Sequence, residues 1–200
     1  MTIKTETELK YRLQDVQSYQ RLCEKLGPAA EEWAQVNHYY QSVDGRIPGK
    51  RGVIRIRAEK GQILFTVKMD GTLDQGIARS REFEFPWRGD TRSFPPAPES
   101  LWKTGHAGME ALAAEAGRKF PLVRVGEMIN RRKVFPLAED RLLEVDASRY
   151  PDGETDYEVE LETADPEGDR IFLTRFLDGA GVRYMLQTET KYQRFLRHLV

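Results

Sequence analysis

The chain has 200 residues, enough for one domain with a hydrophobic core. Its formal net charge of -1 gives no overall attraction to nucleic acid or membranes, and its single cysteine excludes an internal disulfide and a cysteine metal cluster. The N-terminal residues carry no apolar signal segment, and no apolar run is long enough to span a bilayer. We therefore expect a soluble cytoplasmic protein that binds neither nucleic acid nor membrane.

Two kinds of apolar spacing alternate along the chain: period-two alternation predicts strands, and helical spacing predicts helices. In chain order, the predicted elements are a strand at 6–13, a helix over 16–26, strands at 53–60, 63–70 and 80–85, a helix over 98–117, strands at 141–148 and 157–163, and helices around 171–179 and 192–199. Turns are predicted at 42–52, 69–76, 88–99 and 148–156. These elements indicate one α+β domain over 1–200, with an antiparallel sheet of about eight strands and helices packed outside.

The polar faces of the predicted strands carry charged residues at every second position. The shared faces are Glu6-Glu8-Lys10, Arg55-Arg57, Thr66-Lys68, Glu82-Glu84 and Glu158-Glu160-Glu162. Neighbouring carboxylates on one face repel each other, so a solvated strand gains nothing from them. A solvated face still explains any single strand. Recurrence on five strands favours a closed antiparallel sheet whose charged faces turn inward and whose apolar alternates pack against helices.

Inward-facing charges of both signs predict a particular class of ligand. Buried charges are costly unless each meets an opposite charge or a ligand. Arginine and lysine bind phosphate oxygens, and carboxylates hold divalent cations such as Mg²⁺ that bridge to phosphate. The pattern therefore predicts a site for a phosphate-rich anion together with divalent cations.

The charged segments also resemble a known family. ETELK at 6–10 resembles the ExExK signature of the CYTH superfamily, whose members are also called triphosphate tunnel metalloenzymes. Other segments follow in the order of that family: RIR at 55–57, TVK at 66–68, REFE at 81–84, NRRK at 130–133, LEVDASRYPDGETDYEVELE at 143–162 and TKYQRFL at 190–196. The resemblance covers nearly the whole chain. It implies an eight-stranded antiparallel β tunnel that binds triphosphate-containing substrates with Mg²⁺ or Mn²⁺.

The resemblance implies roles for individual residues. The catalytic metal would be held by Glu6, Glu8, Glu158 and Glu160. A second metal site or the rest of the acidic wall would use Asp146 and either Glu82 or Glu84. The phosphate chain would be bound by Lys10, Arg55, Arg57, Lys68, Arg132 and Lys191. The catalytic set would comprise Glu6, Glu8, Lys10, Arg55, Arg57 and Lys68.

Several positions in the resemblance need a choice. Arg132 is favoured over Arg131 as the inward residue, because Asn130 beside it resembles the small polar residue of the family motif. Glu162 is an alternative general base. Gln41 stands where the family often has an aspartate, which argues against a metal ligand on that strand. In the acidic turn DGETD at 152–156, both aspartates are interpreted as solvated.

The function predicted from these residues is a metal-dependent triphosphatase acting on inorganic triphosphate or a compound that carries it. One alternative within the family is a class IV adenylate cyclase, although the His-Phe pair that precedes ExExK in that branch is missing here. Another alternative is a non-catalytic module that binds polyphosphate or nucleotides. The sequence leaves open the non-phosphate part of the substrate, the preferred metal and whether the chain forms a homodimer.

Overall fold

The computed structural model describes residues 2–45, 47, 52–91, 94–137 and 141–199. In these ranges the strands are β1 (Thr2–Leu13), β2 (Glu31–Ser42), β3 (Val53–Glu59), β4 (Gln62–Asp74), β5 (Ile77–Pro86), β6 (Leu122–Pro136), β7 (Leu142–Arg149), β8 (Thr155–Glu162) and β9 (Tyr184–Leu186). The helices are α1 (Val16–Leu26), a 3₁₀ helix (Pro98–Lys103), α2 (Ala107–Ala116), α3 (Pro166–Ala180) and α4 (Lys191–Arg197). None of these helices has the length and apolar character needed to cross a membrane.

The strands pair in the order β5-β4-β3-β2-β6-β7-β8-β1-β9, and β5 also pairs with β1. Strands β1 to β8 therefore form a closed circuit, in which each strand has a neighbour on both sides. The pairings of β1 with β8, β2 with β3, β3 with β4, β6 with β7 and β7 with β8 are antiparallel. The predicted eight-stranded antiparallel β barrel of an α+β protein is confirmed. The alternation did not predict β2, β6 or the short β9.

The described residues group into two compact units. The first unit comprises the described parts of Met1–Thr5, Gln35–Thr72 and Ser80–Met128, and the second comprises those of Glu6–Ala34, Leu73–Arg79 and Ile129–Val200. Each unit has its own cluster of buried apolar side chains. That the chain is one domain over 1–200 stays a prediction.

In the second unit, the apolar faces of β1, β7 and β8 pack against α1 and α3. Leu9 of β1 and Val159 of β8 are fully buried in one cluster with Leu22 of α1 and Leu173 of α3. These strand residues are the predicted apolar alternates. Burying them against helices leaves the charged alternates on the opposite face of the same strands.

The first unit repeats this arrangement with β3, β4, β5 and α2. Ile54, Val67 and Phe83 are buried in a second cluster with Met109 and Leu112 of α2. The prediction that the apolar alternates pack against helices is therefore confirmed in both units, because each apolar cluster contains residues from strands and from a helix.

The single helix predicted over 98–117 is wrong, because the segment forms two helices. The 3₁₀ helix at Pro98–Lys103 is separated from α2 by Gly105, whose φ of 65° lies in the left-handed region and interrupts the helix. His106 then begins α2, and its Nδ1 accepts a hydrogen bond of 3.1 Å from the backbone N–H of Gly108. The apolar spacing is continuous across this break, so it gave no sign of the interruption.

Most of the turn predicted at 69–76 is also wrong, because β4 continues to Asp74. The chain reverses at Gln75 and Gly76, which have φ values of 45° and 77°. A Cβ atom on Gly76 would lie 2.9 Å from the carbonyl oxygen of Lys10, so this close approach of two backbones requires glycine.

The other predicted turns have different outcomes. The turn at 148–156 is confirmed between β7 and β8. The turns at 42–52 and 88–99 lie partly outside the described residues.

Two glycines in helices test the packing of the cores. Gly108 of α2 is buried, and a Cβ there would lie 2.6 Å from Cβ of Val67 and 3.0 Å from Cβ of Phe83. These atoms are close to the backbone and cannot rotate away, so Gly108→Ala should lower the free energy of unfolding by about 1–3 kcal/mol. Gly179 of α3 has open space around its Cα. Gly179→Ala should therefore raise the free energy of unfolding by up to about 1 kcal/mol, because alanine favours a helix more than glycine does.

Urea denaturation of the two variants beside the wild type measures both effects. Equal changes in the two variants would contradict the packing of α2 on β4 and β5.

Candidate active site

The charged face of β1 belongs to the second unit. Glu6 is buried, and Glu8 and Lys10 keep 14% and 12% of their side chains exposed. Nζ of Lys10 lies 2.5 Å from Oε2 of Glu8 and donates a hydrogen bond of 2.7 Å to Oε1 of Glu160. The second contact arises because Lys10 and Glu160 are directly opposite each other in the pairing of β1 with β8.

The register of β6, β7 and β8 brings further charges onto this face. Arg132 on β6 is opposite Asp146 on β7, and Asp146 is opposite Glu158 on β8. In the same way, Glu144 on β7 is opposite Glu160 on β8. Directly opposed residues of antiparallel strands share a face, so the register alone places these five residues together.

Arg132 connects the carboxylates of this face. Its Nε and Nη2 atoms donate hydrogen bonds of 2.9 and 2.6 Å to the two oxygens of Asp146, and Nη2 also donates one of 2.7 Å to Glu160. Nη1 forms an ion pair with Glu144. The neighbouring Arg131 is exposed. The structure therefore places Arg132 on the charged face and Arg131 on the other face.

Lys191 reaches the same carboxylates from α4. The helix begins with a capping box, in which the Thr190 side chain accepts a hydrogen bond from the backbone of Gln193 and the Gln193 side chain accepts one from the backbone of Thr190. Nζ of Lys191, the first residue of α4, donates hydrogen bonds of 2.6 Å to Asp146 and 3.2 Å to Glu160. The cap thus fixes the start of the helix whose first side chain enters the charged face.

For Lys10, Glu160 and Asp146, ion pairing shifts the pKa more than burial does. Burial alone would lower the pKa of Lys10, but the carboxylates of Glu160 and Glu8 hold that pKa well above its usual value. Burial alone would raise the pKa of Glu160, but the nearby lysines and Arg132 hold it well below its usual value. In the same way, Arg132 and Lys191 overcome burial and lower the pKa of Asp146 to about 2.

Two carboxylates of the charged face, those of Glu158 and Glu144, have raised pKa values instead. Burial raises the pKa of Glu158, and its neighbour Glu160 adds to the effect, even though Arg194 and Lys191 oppose it. The side chain of Glu144 is 31% exposed, yet burial of its carboxyl group and the negative charges of Glu160 and Asp146 raise its pKa to about 7. Burial is the largest cause of both raised pKa values, and neighbouring carboxylates add to it, so negative charge is concentrated on this face.

Counting the ion-paired residues gives the same result. The charged cluster of the second unit comprises six carboxylates, Glu8, Glu144, Asp146, Asp156, Glu158 and Glu160, and four cations, Lys10, Arg132, Lys191 and Arg194. Carboxylates therefore outnumber cations among these ion-paired residues. Carboxylate oxygens are also the donors that Mg²⁺ and Mn²⁺ prefer.

The cluster fits a divalent cation in charge and donor type, although its carboxylates are not gathered around a cation position. Among the described residues, no group of three or more aspartate, glutamate, histidine or cysteine side chains is already arranged to hold a metal ion. Glu160 has both oxygens bonded to lysine or arginine, whereas Oε1 of Glu158 is buried and receives no hydrogen bond from an N–H or O–H group within the described part of the chain. Lysine and arginine side chains thus donate to both oxygens of Glu160, whereas the nearby Lys191 stays 3.6 Å from Oε1 of Glu158.

The first unit holds a second set of predicted site residues. Thr66 on β4 donates a hydrogen bond of 2.8 Å to Glu84 on β5 and accepts one of 3.2 Å from Arg55 on β3. Nζ of Lys68 lies 2.6 Å from Oε2 of Glu82. Glu84 and Glu82 thus contact Thr66 and Lys68 of β4, and the choice between them as metal ligands stays a prediction.

Arg57 belongs to a separate polar network of the first unit. Its Nε donates a hydrogen bond of 2.9 Å to Oδ1 of Asn37, and its Nη1 lies 3.8 Å from Glu59. Gln35 donates to the same glutamate at 2.7 Å. These β2 side chains fix the guanidinium of Arg57, and the sequence analysis did not single them out.

The structure also shows site residues that the sequence analysis missed. Gln187 and Arg194 contact the carboxylate of Glu158 directly, and Glu144 forms an ion pair with Arg132. Arg194 lies one helical turn after Lys191, a spacing that could have indicated it. The interpretation of Asp156 as solvated is wrong: its side chain is 11% exposed, and Nε of Arg194 lies 2.6 Å from it. Glu162, the alternative base, is exposed at the end of β8.

Comparisons with known proteins agree with this fold. The sequence profile of the CYTH domain matches residues 4–196, so the chain belongs to the CYTH domain family. A search of curated proteins found no significant match.

Solved structures show the same architecture. A candidate adenylyl cyclase from Hippeastrum, described as having a dominant triphosphatase activity, is 24% identical, with 98% of this chain and 97% of that chain aligned and a TM-score of 0.86. A candidate adenylate cyclase from Bacillus halodurans is also 24% identical, with coverage of 96% and 98% and a TM-score of 0.73. A protein from Pyrococcus horikoshii is 13% identical, with coverage of 95% and 98% and a TM-score of 0.60. At these identities the likeness shows the fold.

Two neighbouring arginines of β6 test the charged cluster. Arg132→Ala leaves the fully buried Asp146 without its two-point partner, so it should lower the free energy of unfolding by about 3 kcal/mol. Arg131→Ala removes an exposed arginine from the same strand and should change the free energy of unfolding by less than about 0.5 kcal/mol. Urea unfolding at pH 7 measures the difference, and equal stability of the two variants would rule out a buried pairing role for Arg132.

Proposed function

We propose that the protein is a metal-dependent phosphohydrolase that cleaves triphosphate-containing substrates, namely inorganic triphosphate or a nucleoside or thiamine triphosphate. The observation that carries the proposal is the charged cluster of the second unit, where buried lysine and arginine alternate with an excess of carboxylates. Membership of the CYTH family supports an enzyme that acts on triphosphates. The triphosphatase activity of the Hippeastrum protein supports hydrolysis as the reaction.

The phosphate chain is proposed to bind the cations of the cluster. Lys10, Arg132 and Lys191 now donate to carboxylates, and phosphate oxygens can accept the same hydrogen bonds. The fork of Arg132, which makes two hydrogen bonds to Asp146, has the geometry that suits a phosphate group. Phosphate binding would thus exchange one set of anionic partners for another and leave no cation buried alone.

The basic residues of the first unit are proposed to have the same role. Arg55, Arg57 and Lys68 are each held by a neutral or acidic partner on an adjacent strand, so their donors are already oriented. Orientation before binding lowers the entropy lost when the substrate is bound. Together with Lys10, Arg132 and Lys191, these three residues make up the six proposed phosphate-binding positions.

The carboxylates are proposed to hold Mg²⁺ or Mn²⁺. The proposed ligands are Glu6, Glu8, Glu158 and Glu160, with Asp146, Glu82 and Glu84 for a further cation. When bound, such a cation neutralises charge on phosphate oxygens and lowers the pKa of its bound water. The chain supplies the oxygen donors and the low-dielectric setting. Because the transition state of phosphoryl transfer mainly spreads charge over phosphate oxygens, positioning these charges is the main catalytic task.

A second candidate function is a class IV adenylate cyclase. The two similar structures from Hippeastrum and Bacillus halodurans carry cyclase names. A cyclase would release pyrophosphate and cyclic AMP from ATP, whereas a triphosphatase would release phosphate. The products of one incubation therefore separate the two reactions.

The decisive experiment measures phosphate, pyrophosphate and cyclic AMP released from inorganic triphosphate, ATP and thiamine triphosphate, with Mg²⁺, with Mn²⁺ and with chelator. We expect phosphate release that requires the metal. Glu8→Gln keeps the shape of the side chain but removes a charged ligand, so it should lower kcat/KM on the order of 100-fold. Glu167→Gln, an exposed glutamate on α3, is the matched control and should leave it unchanged.

Three other outcomes each have a distinct meaning. Cyclic AMP as the main product would favour the cyclase. Triphosphate binding without turnover would favour the non-catalytic module. Equal activity of Glu8→Gln and the wild type would show that Glu8 on β1 has no role in the reaction.

A further inference from the structure

Arg194 of α4 is the most buried cation of the second unit. Its side chain is 2% exposed. Nε lies 2.6 Å from Oδ2 of Asp156 and donates a hydrogen bond of 3.1 Å to the hydroxyl of Tyr150, and Nη1 donates one of 2.8 Å to the carbonyl oxygen of Glu189. A guanidinium this deeply buried requires such partners, because removing it from water is costly.

The remaining nitrogen of this guanidinium reaches a predicted metal ligand. Nη2 of Arg194 lies 2.6 Å from Oε2 of Glu158. Nε2 of Gln187, a residue that is 3% exposed, donates a hydrogen bond of 2.7 Å to the same oxygen. Two buried groups from the C-terminal segment therefore converge on one oxygen of one carboxylate.

The other oxygen of Glu158 is in a different situation. Oε1 is buried, receives no hydrogen bond from an N–H or O–H group of the described residues, and lies 3.6 Å from Nζ of Lys191, with the carboxyl group of Glu160 beside it. A buried carboxylate oxygen without a hydrogen bond is costly, so proteins rarely keep one without a reason. The hydrogen bond from Gln187 and the ion pair with Arg194 both act on Oε2, and together they restrict the rotation of the carboxylate that decides where Oε1 points.

We propose that Arg194 and Gln187 are positioning residues, which fix Oε2 of Glu158 so that Oε1 is presented to a divalent cation. This inference rests on the proposed function, since it assigns Glu158 as a metal ligand. Groups that orient a metal ligand in this way commonly change metal affinity 10- to 100-fold when they are removed. Neither residue touches the substrate or the cation in this proposal, and both act through the carboxylate they hold.

Alternative roles make different predictions for the two residues. A purely structural Arg194 would join α4 to Tyr150 in the turn after β7 and to Asp156 on β8, and its loss would lower stability without changing metal affinity. Gln187 separates the two roles, because its side-chain N–H group contacts Glu158, while its carbonyl oxygen accepts only from backbone N–H groups of Thr188 and Glu189.

The test measures Mn²⁺ binding to the substrate-free full-length protein by electron paramagnetic resonance, beside the melting temperature and the steady-state kinetics. The variants are Arg194→Lys, which keeps the charge but loses the fork, and Gln187→Met, which keeps the length but loses the N–H donor. Arg197→Lys is the matched control, because Arg197 lies on the same helix, is 57% exposed and pairs with Glu189.

We expect Arg194→Lys and Gln187→Met each to weaken Mn²⁺ binding about 10-fold or more, and Arg197→Lys to leave it unchanged. The Mn²⁺ concentration needed for half-maximal activity should rise by a similar factor. If Arg194→Lys does not fold, Gln187→Met alone decides the result.

Wild-type Mn²⁺ affinity in folded variants, with metal-dependent hydrolysis intact, would overturn the positioning role and leave the proposed function standing. A wild-type protein that neither binds Mn²⁺ nor needs it for turnover would overturn both.

Discussion

The mutual neutralisation of buried lysine, arginine and carboxylate side chains is the constraint on which the second unit depends. Asp146 and Glu158 are 0% exposed, and burying such charges without partners would cost several kcal/mol each. The antiparallel register solves this by placing Lys10 opposite Glu160 and Arg132 opposite Asp146. A face of well-packed apolar residues would be at least as stable. The charges are therefore better explained by what they bind than by what they contribute to stability.

Much of this arrangement follows from the sequence, because strand geometry has a period of two. The spacing of Glu6, Glu8 and Lys10 determines that they share a face, and the buried Leu9 determines that this face is opposite the helices. The apolar face of α1 and its end at Gly27 are visible for similar reasons. These features depend on neighbours a few residues apart, which a sequence shows directly.

Features that depend on distant pairings could not be predicted in the same way. Lys10 and Glu160 are 150 residues apart, so no local pattern gives their register. The burial of Asp156 depends on Arg194, which contacts it from α4 in a distant part of the sequence. The break at Gly105 depends on its positive φ, which the spacing of apolar residues does not reveal. In each case tertiary contacts or a single backbone angle decided the structure.

The distribution of the cluster along the chain has a consequence for how the protein folds. Its members come from near the beginning, at Lys10, and from near the end, at Lys191 and Arg194, with the carboxylates of β7 and β8 between them. Contacts between such distant residues form late, because closing long loops costs entropy before any contact repays it. Until α4 docks, the carboxylates of β7 and β8 lack two of their cations and stay hydrated. The docking of α4 is thus also the step that removes water from this face, and a chain without its C-terminal helix should remain hydrated there.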